Sequence, residues 1–265
     1  MMLQNKVAIV YGGGGAIGGA VARAFAKEGA ELFLAGRTKE KLDAVADDIR
    51  SVGGRAEVSV IDALDEREVA LHSARVAAKA GRIDIAFNGL GINHVQGVLL
   101  SDLSAADFLH PITAYATAYF ITARAVTPHM SSRGSGVIMM PSTPGARMPG
   151  TGFLGYGVSC AATEGMTRLL AAELAPAGIR VVCIRSHAIP EAATMGSHSR
   201  DVFEPVARSA GISLEELMEG AAAGTLLKQL PTLDQVANAA VFAASAHAAS
   251  MTGAVINLTG GAVVD

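Results

Sequence analysis

Only two cysteines, Cys160 and Cys183, occur among the 265 residues. Neither belongs to a C-x-x-C pair, so a disulfide framework and a zinc site are both poor readings, and two reduced thiols are expected. The seven histidines form no H-x-H or H-x-x-x-H pair, which leaves a metal site without support. No run of about 18 uninterrupted apolar residues is present, so no membrane span is expected. Charge is sparse as well. Charged residues make up 17% and the formal net charge is −3, which provides no electrostatic footprint for nucleic acid. The N-terminal MMLQNKVAIV carries neither a cationic leader nor a small-residue cleavage site, and the expectation is a soluble, cytoplasmic chain. No lysine stands between Lys79 and Lys228, so the middle of the chain has no ammonium to offer.

Apolar residues, by contrast, make up 51%, enough to bury a two-sided sheet core in one large domain. Short β-branched runs alternate with longer helical patterns, the mark of βαβ units around a parallel sheet. Strands are expected at Val7–Val10, Glu31–Ala35, Ala56–Ile61, Ile83–Phe87, Gly136–Met140, Arg180–Ile184 and Ala254–Asn257. Helices are expected near Ile17–Glu28, Lys39–Val52, Glu66–Ala80, Asp107–Ser131, Ser159–Ala175 and Leu233–Ala244. The fold class is α/β: a Rossmann-like doubly wound sheet of about seven parallel strands, spanning 1–265 as a single domain. Residues 186–223 break the pattern and read as a substrate-loop insertion, with a weakly amphipathic piece around Leu214–Ala222.

The stretch VAIVYGGGGAIGGAVARAFAKEGA puts a strand, a glycine cluster and a helix in direct succession. Gly12 suits the tight turn, Gly13, Gly14 and Gly15 let backbone amides approach a pyrophosphate, and Gly18 permits close packing at the positive helix end. Beyond the second strand, Ala35 and Gly36 stand where an acidic residue would receive the ribose hydroxyl of NAD, and Arg37 follows. A guanidinium there suits a 2′-phosphate, so NADP(H) is expected to be preferred, with NAD(H) still possible. A solvated arginine opening a helix is the competing account.

With these residues the chain resembles a short-chain dehydrogenase/reductase over essentially its whole length. The family's TGxxxGIG appears as Tyr11-Gly12-Gly13-Gly14-Gly15-Ala16-Ile17-Gly18, with Tyr for Thr and Ala for one Gly, and its NNAG as Asn88-Gly89-Leu90-Gly91. Asp62, with Ala63 beside it, falls where the family contacts adenine, and QVANAAVFAAS followed by GAVINLTGG is close to the family's ending. The resemblance implies that Gly12, Gly14, Gly15, Ile17, Gly18, Arg37, Asp62, Ala63, Asn88, Gly89 and Tyr156 contact the cofactor. It also implies a small-molecule substrate and a homo-oligomer, dimer or tetramer, built through the two long helices.

The family's Asn-Ser-Tyr-Lys tetrad carries over only in part. Tyr156 matches the catalytic tyrosine and Thr143 the serine, with Ser142 adjacent; Tyr115 stands at the asparagine and Cys160 at the lysine. Ser186 and His187 replace the Pro-Gly that follows the sixth strand. In the family the lysine lowers the tyrosine's pKa; bringing a phenol from ~10 to ~7 corresponds to about 4 kcal/mol. A thiol supplies no such charge. Oxidation of an alcohol needs a tyrosinate and suffers most, whereas reduction of a carbonyl or activated alkene needs only a protonated Tyr156. Thr143 would orient the substrate and His187 is a tentative second acid. Cys160 reads better as a packed thiol than as a nucleophile. Asn93, His94, Arg147, Met148, Phe153 and Met195 are candidates for the substrate pocket. The alternative is a catalytically inactive relative, a nucleotide-binding or oligomeric scaffold with a decayed tetrad.

Overall fold

The computed structural model describes residues 1–132, 134–195 and 197–265; Gly196, within the expected insertion, lies outside them. Strands β1 (Val7–Tyr11), β2 (Glu31–Gly36), β3 (Arg55–Val60), β4 (Ile85–Asn88), β5 (Gly136–Ser142), β6 (Ile179–Ser186) and β7 (Ala254–Leu258) form one parallel sheet. Its order is β3-β2-β1-β4-β5-β6-β7. From β1 the chain runs outward to β3 and then returns to the other side of β1 at β4. That reversal opens a crevice at the carboxyl ends of β1 and β4, where α/β sheets bind ligands.

Every side chain of β1 is buried, because helices cover both sheet faces. Ala8 and Val10 face a cluster with Leu32 and Leu34. It is completed by Val21 and Phe25 of α1 (Ala16–Lys27), Val45 and Ile49 of α2 (Lys39–Ser51), and Val236 and Val241 of α9 (Leu233–Ala244). Val7, Ile9 and Tyr11 face the opposite way with Phe33 and Ala35. Their partners are Val69 and Val76 of α3 (Glu66–Ala80), Tyr115, Tyr119 and Val126 of α4 (Ala105–Ser131), and Ala171 of α5 (Leu154–Leu174). Helix ends are marked chemically: Asp65 accepts the Glu68 amide at the start of α3, and Gly81, with φ 72°, closes it.

Two expectations need correction. The fifth helix starts at Leu154 rather than near Ser159, so Tyr156 lies in its first turn. Gly155 and Gly157 depress helix propensity there and mask the start. A Cβ on Gly155 would lie 2.7 Å from the Phe108 carbonyl oxygen, so glycine serves a close approach to α4. Residues 186–223 also carry more structure than a loop. They fold into α6 (Pro190–Thr194), α7 (His198–Ser209) and α8 (Leu214–Ala223), with Ser213 and Glu216 forming a capping box.

Candidate active site

The glycine cluster is shaped by contacts that leave no room for a side chain. Gly12 has φ 72°, and a Cβ on it would meet the Gly89 carbonyl oxygen at 2.3 Å; one on Gly18 would meet the Gly12 oxygen at 2.2 Å. The Gly13 amide donates to Ala35 at 3.1 Å, tying the turn to β2. Gly15 caps α1 with no side-chain acceptor, so the first amides of the helix stay available at its positive end. Before them lies a groove of about 540 Å³ lined by Gly12, Gly14, Gly15, Ile17, Arg37, Asp62, Ala63 and Gly89. Lys41 joins Arg37 in this lining. The fit to a dinucleotide is good: a backbone cradle a Cβ would fill, an uncapped helix start, and cations past β2.

Three expected cofactor contacts do not line this groove: Tyr156, which lines a neighbouring cavity, Gly18 and Asn88. Gly18 is part of the turn's packing and does not line the groove. Asn88 is fully buried, accepting from Thr122 Oγ1 at 2.7 Å and donating from Nδ2 to the Met139 carbonyl at 3.4 Å, so it clamps β4 to α4 and β5. Neither position was separable from the lining by sequence alone, because motif membership says nothing of which way an amide points.

A second cavity, of about 390 Å³, opens beside the groove. The two share Ile17, Leu90, Pro141, His198 and Ser199. Tyr156, Thr143, Cys160 and His187 line it together, although 44 residues separate the first and last in sequence. His94, Met148 and Phe153 also line it; Asn93 lines the groove, while Arg147 and Met195 line neither. No Lys, Arg, Asp or Glu is among the described lining residues. Helices α7 and α8 close it with Val202, Val206, Leu217 and Met218.

Thr143 Oγ1 lies 3.2 Å from Cys160 Sγ, and the Tyr115 hydroxyl accepts the Ile92 amide at 3.3 Å. Burial drives the pKa of Tyr156 well above that of an ordinary phenol, with Cys160, Tyr115 and Tyr119 adding to the rise and a hydrogen bond with Thr143 opposing it. Tyr156 therefore holds its proton at neutral pH. Burial also raises the Cys160 thiol, hydrogen bonds notwithstanding, which favours its protonated form. His187 is kept neutral by burial, and because its Nδ1 accepts the Ala188 amide at 2.7 Å, its proton sits on Nε2.

Sequence reasoning missed two groups. Gln96, from a loop, and His198, from the start of α7, reach the cavity with no fixed spacing to announce them. Behind the site, the Arg185 guanidinium, 1% exposed, binds both Glu164 oxygens at 2.7 and 2.8 Å and the Asp265 carboxylate at 2.8 Å. Ser142 Oγ donates to the same Glu164 at 3.2 Å. Glu164 follows Cys160 by one helical turn, so the pair anchors the face of α5 that carries the cavity residues.

Over residues 6–200 the sequence matches the short chain dehydrogenase family. The chain belongs to the short-chain dehydrogenase family. An oxidoreductase of uncharacterised activity from Mycobacterium tuberculosis is 33% identical, the alignment covering 98% of this chain and 92% of the relative. A 7α-hydroxysteroid dehydrogenase from Clostridium sardiniense is 29% identical over 98% and 94% of the two chains. Among solved structures, a 7α-hydroxysteroid dehydrogenase complexed with NADH and 7-oxo glycochenodeoxycholic acid superposes with a TM-score of 0.85 at 26% identity, covering 99% of this chain and 96% of that one. An NAD⁺-bound xylitol dehydrogenase, at TM-score 0.87 and 23% identity over 98% and 100% of the chains, shares the fold. This short-chain dehydrogenase is thus an oxidoreductase that uses a nicotinamide cofactor.

Proposed function

We propose that the protein reduces a carbonyl or activated alkene on an uncharged, largely apolar small molecule, with NADPH preferred over NADH. The observation that carries this reading is Tyr156, a phenol with no ammonium among the described cavity residues, whose burial outweighs the Thr143 hydrogen bond and favours the protonated form. Such a group is a proton donor to a developing oxyanion and a poor base toward an alcohol. Thr143, the residue directly after β5, would hold the substrate oxygen, and His187 would present its Nε2 proton to the same cavity.

Gly12, Gly14, Gly15 and Ile17 would hold the pyrophosphate of the dinucleotide, Asp62 and Ala63 its adenine end, and Arg37 with Lys41 a 2′-phosphate. When bound, the nicotinamide supplies the hydride. The charge-free lining supports an apolar substrate, as does the likeness to 7α-hydroxysteroid dehydrogenases, proteins named for a bulky alicyclic substrate. Leu109, Phe120, Leu154 and Leu169 lie exposed on α4 and α5, which supports assembly into a homodimer or homotetramer; light scattering of the purified chain checks it.

Calorimetric titration with NADPH and NADH, followed by NADPH-oxidation assays over apolar ketones and enones, tests the reading. Tighter NADPH binding and a turnover lowered about 10²-fold or more in Tyr156→Phe are expected. Unchanged turnover in that variant would remove Tyr156 from the chemistry. Cofactor binding with no turnover on any such substrate would favour the non-catalytic scaffold.

A further inference from the structure

We propose that His94 and Gln96 set the proton-donating strength of Tyr156, in place of the ammonium that Cys160 does not supply. The proposal rests on the reductase reading, and its geometry is independent of any motif. The His94 ring stacks on Tyr156, with centroids 4.2 Å apart and planes 18° from parallel. Its Nδ1 lies 2.7 Å from the Ile92 carbonyl oxygen, which can only accept, so Nδ1 carries a proton. Its Nε2 lies 2.7 Å from Gln96 Nε2, which can only donate, so Nε2 is bare and the ring is neutral.

Gln96 is 6% exposed, and its Oε1 is a buried acceptor without a protein partner among the described residues. A half-turn of the carboxamide brings that oxygen to His94 Nε2. The new contact is a hydrogen bond only when Nε2 also carries a proton, which means an imidazolium with both N–H groups accepted. The orientation of one buried amide is therefore coupled to the charge on a ring stacked against the candidate acid. The proton comes from solvent and returns to it; no covalent bond changes. A cation stacked on the phenol favours its ionised form and makes it a stronger donor.

The ionisable groups facing His94 are His110 and Tyr115 on α4, Tyr156 on α5 and His198 on α7. Burial and His110 disfavour the imidazolium, while the Ile92 carbonyl favours it. His198, pushed down to about 4 by burial first and His94 second, with Asp201 opposing, stays neutral and does not block it. Charging of His94 thus belongs to the acid side of neutrality.

In the cofactor-free protein, histidine ¹⁵N NMR is expected to show His94 as the Nδ1–H tautomer at alkaline pH and doubly protonated on acidification. The Tyr156 Cζ resonance should move with the same midpoint. Gln96→Glu places a carboxylate oxygen at the acceptor position and should raise that midpoint by about one pH unit or more. His94→Phe keeps an aromatic stack and should abolish the Tyr156 response. With NADPH and a reducible ketone, kcat should rise about tenfold on acidification through the His94 midpoint. That rise should follow the midpoint in Gln96→Glu and vanish in His94→Phe. A Tyr156 resonance indifferent to the His94 titration, or a kcat profile that stays in place while Gln96→Glu moves His94, overturns the proposal. A wild-type protein without turnover would instead sink the reductase reading, and the resonance coupling would then decide this proposal alone.

Discussion

At the scale of single residues, the site carries uncharged side chains at positions whose physics can be stated one by one. Cys160 offers Tyr156 no positive charge, and burial keeps the phenol protonated. Arg37 is exposed on the groove with no acidic residue at the tip of β2. Charge and forked geometry make it the group best suited to a 2′-phosphate. Arg37→Ala is accordingly expected to weaken NADPH about tenfold or more, on the scale of a charge-assisted contact, while leaving NADH nearly unchanged. Calorimetry on both nucleotides checks it; equal losses for the two would make Arg37 a general groove residue.

At the scale of elements, α5 carries Tyr156, Cys160 and Glu164 along one side, and its position depends on the Glu164–Arg185 pair. Removing one member of a buried pair strands the other, at a cost of about 3–5 kcal/mol, whereas replacing both with apolar residues is often nearly neutral. Glu164→Leu should therefore lower stability toward urea by that order, and Glu164→Leu with Arg185→Leu should recover most of it. A double variant as unstable as the single one would show that the network acts through Asp265 or Ser142 instead. Strands and long helices were legible here because two-sided burial and 3.6-residue periodicity leave local marks. The start of α5 was not, since Gly155 answers to the Phe108 backbone across the fold. Within 190–223 the amphipathic piece at Leu214–Ala222 marked α8, whereas α6, five residues long, and α7, with Pro205 inside it, were not read.

At the scale of the whole molecule, acid should be the weakness. His72 is 3% exposed and neither ring nitrogen has a protein partner among the described residues. Burial, with Arg75 contributing, pushes its pKa down from 6.5 to about 4. Between those values the unfolded chain binds the extra proton, so stability is full above about pH 6.5, falls as pH drops, and levels off near 4. The loss through His72 is about 3 kcal/mol. His72→Leu should flatten the fall in melting temperature from pH 7 to pH 4; an unchanged slope would assign acid sensitivity to other groups. The parallel sheet, the glycine cradle and the missing ammonium were all written in one dimension, because each follows from local pattern or residue identity. The stack of His94 on Tyr156 and the contact of His94 with Gln96 were not. Contacts between loops far apart in the chain follow from how the helices pack on the sheet, and only the tertiary structure decides which buried atoms find a partner.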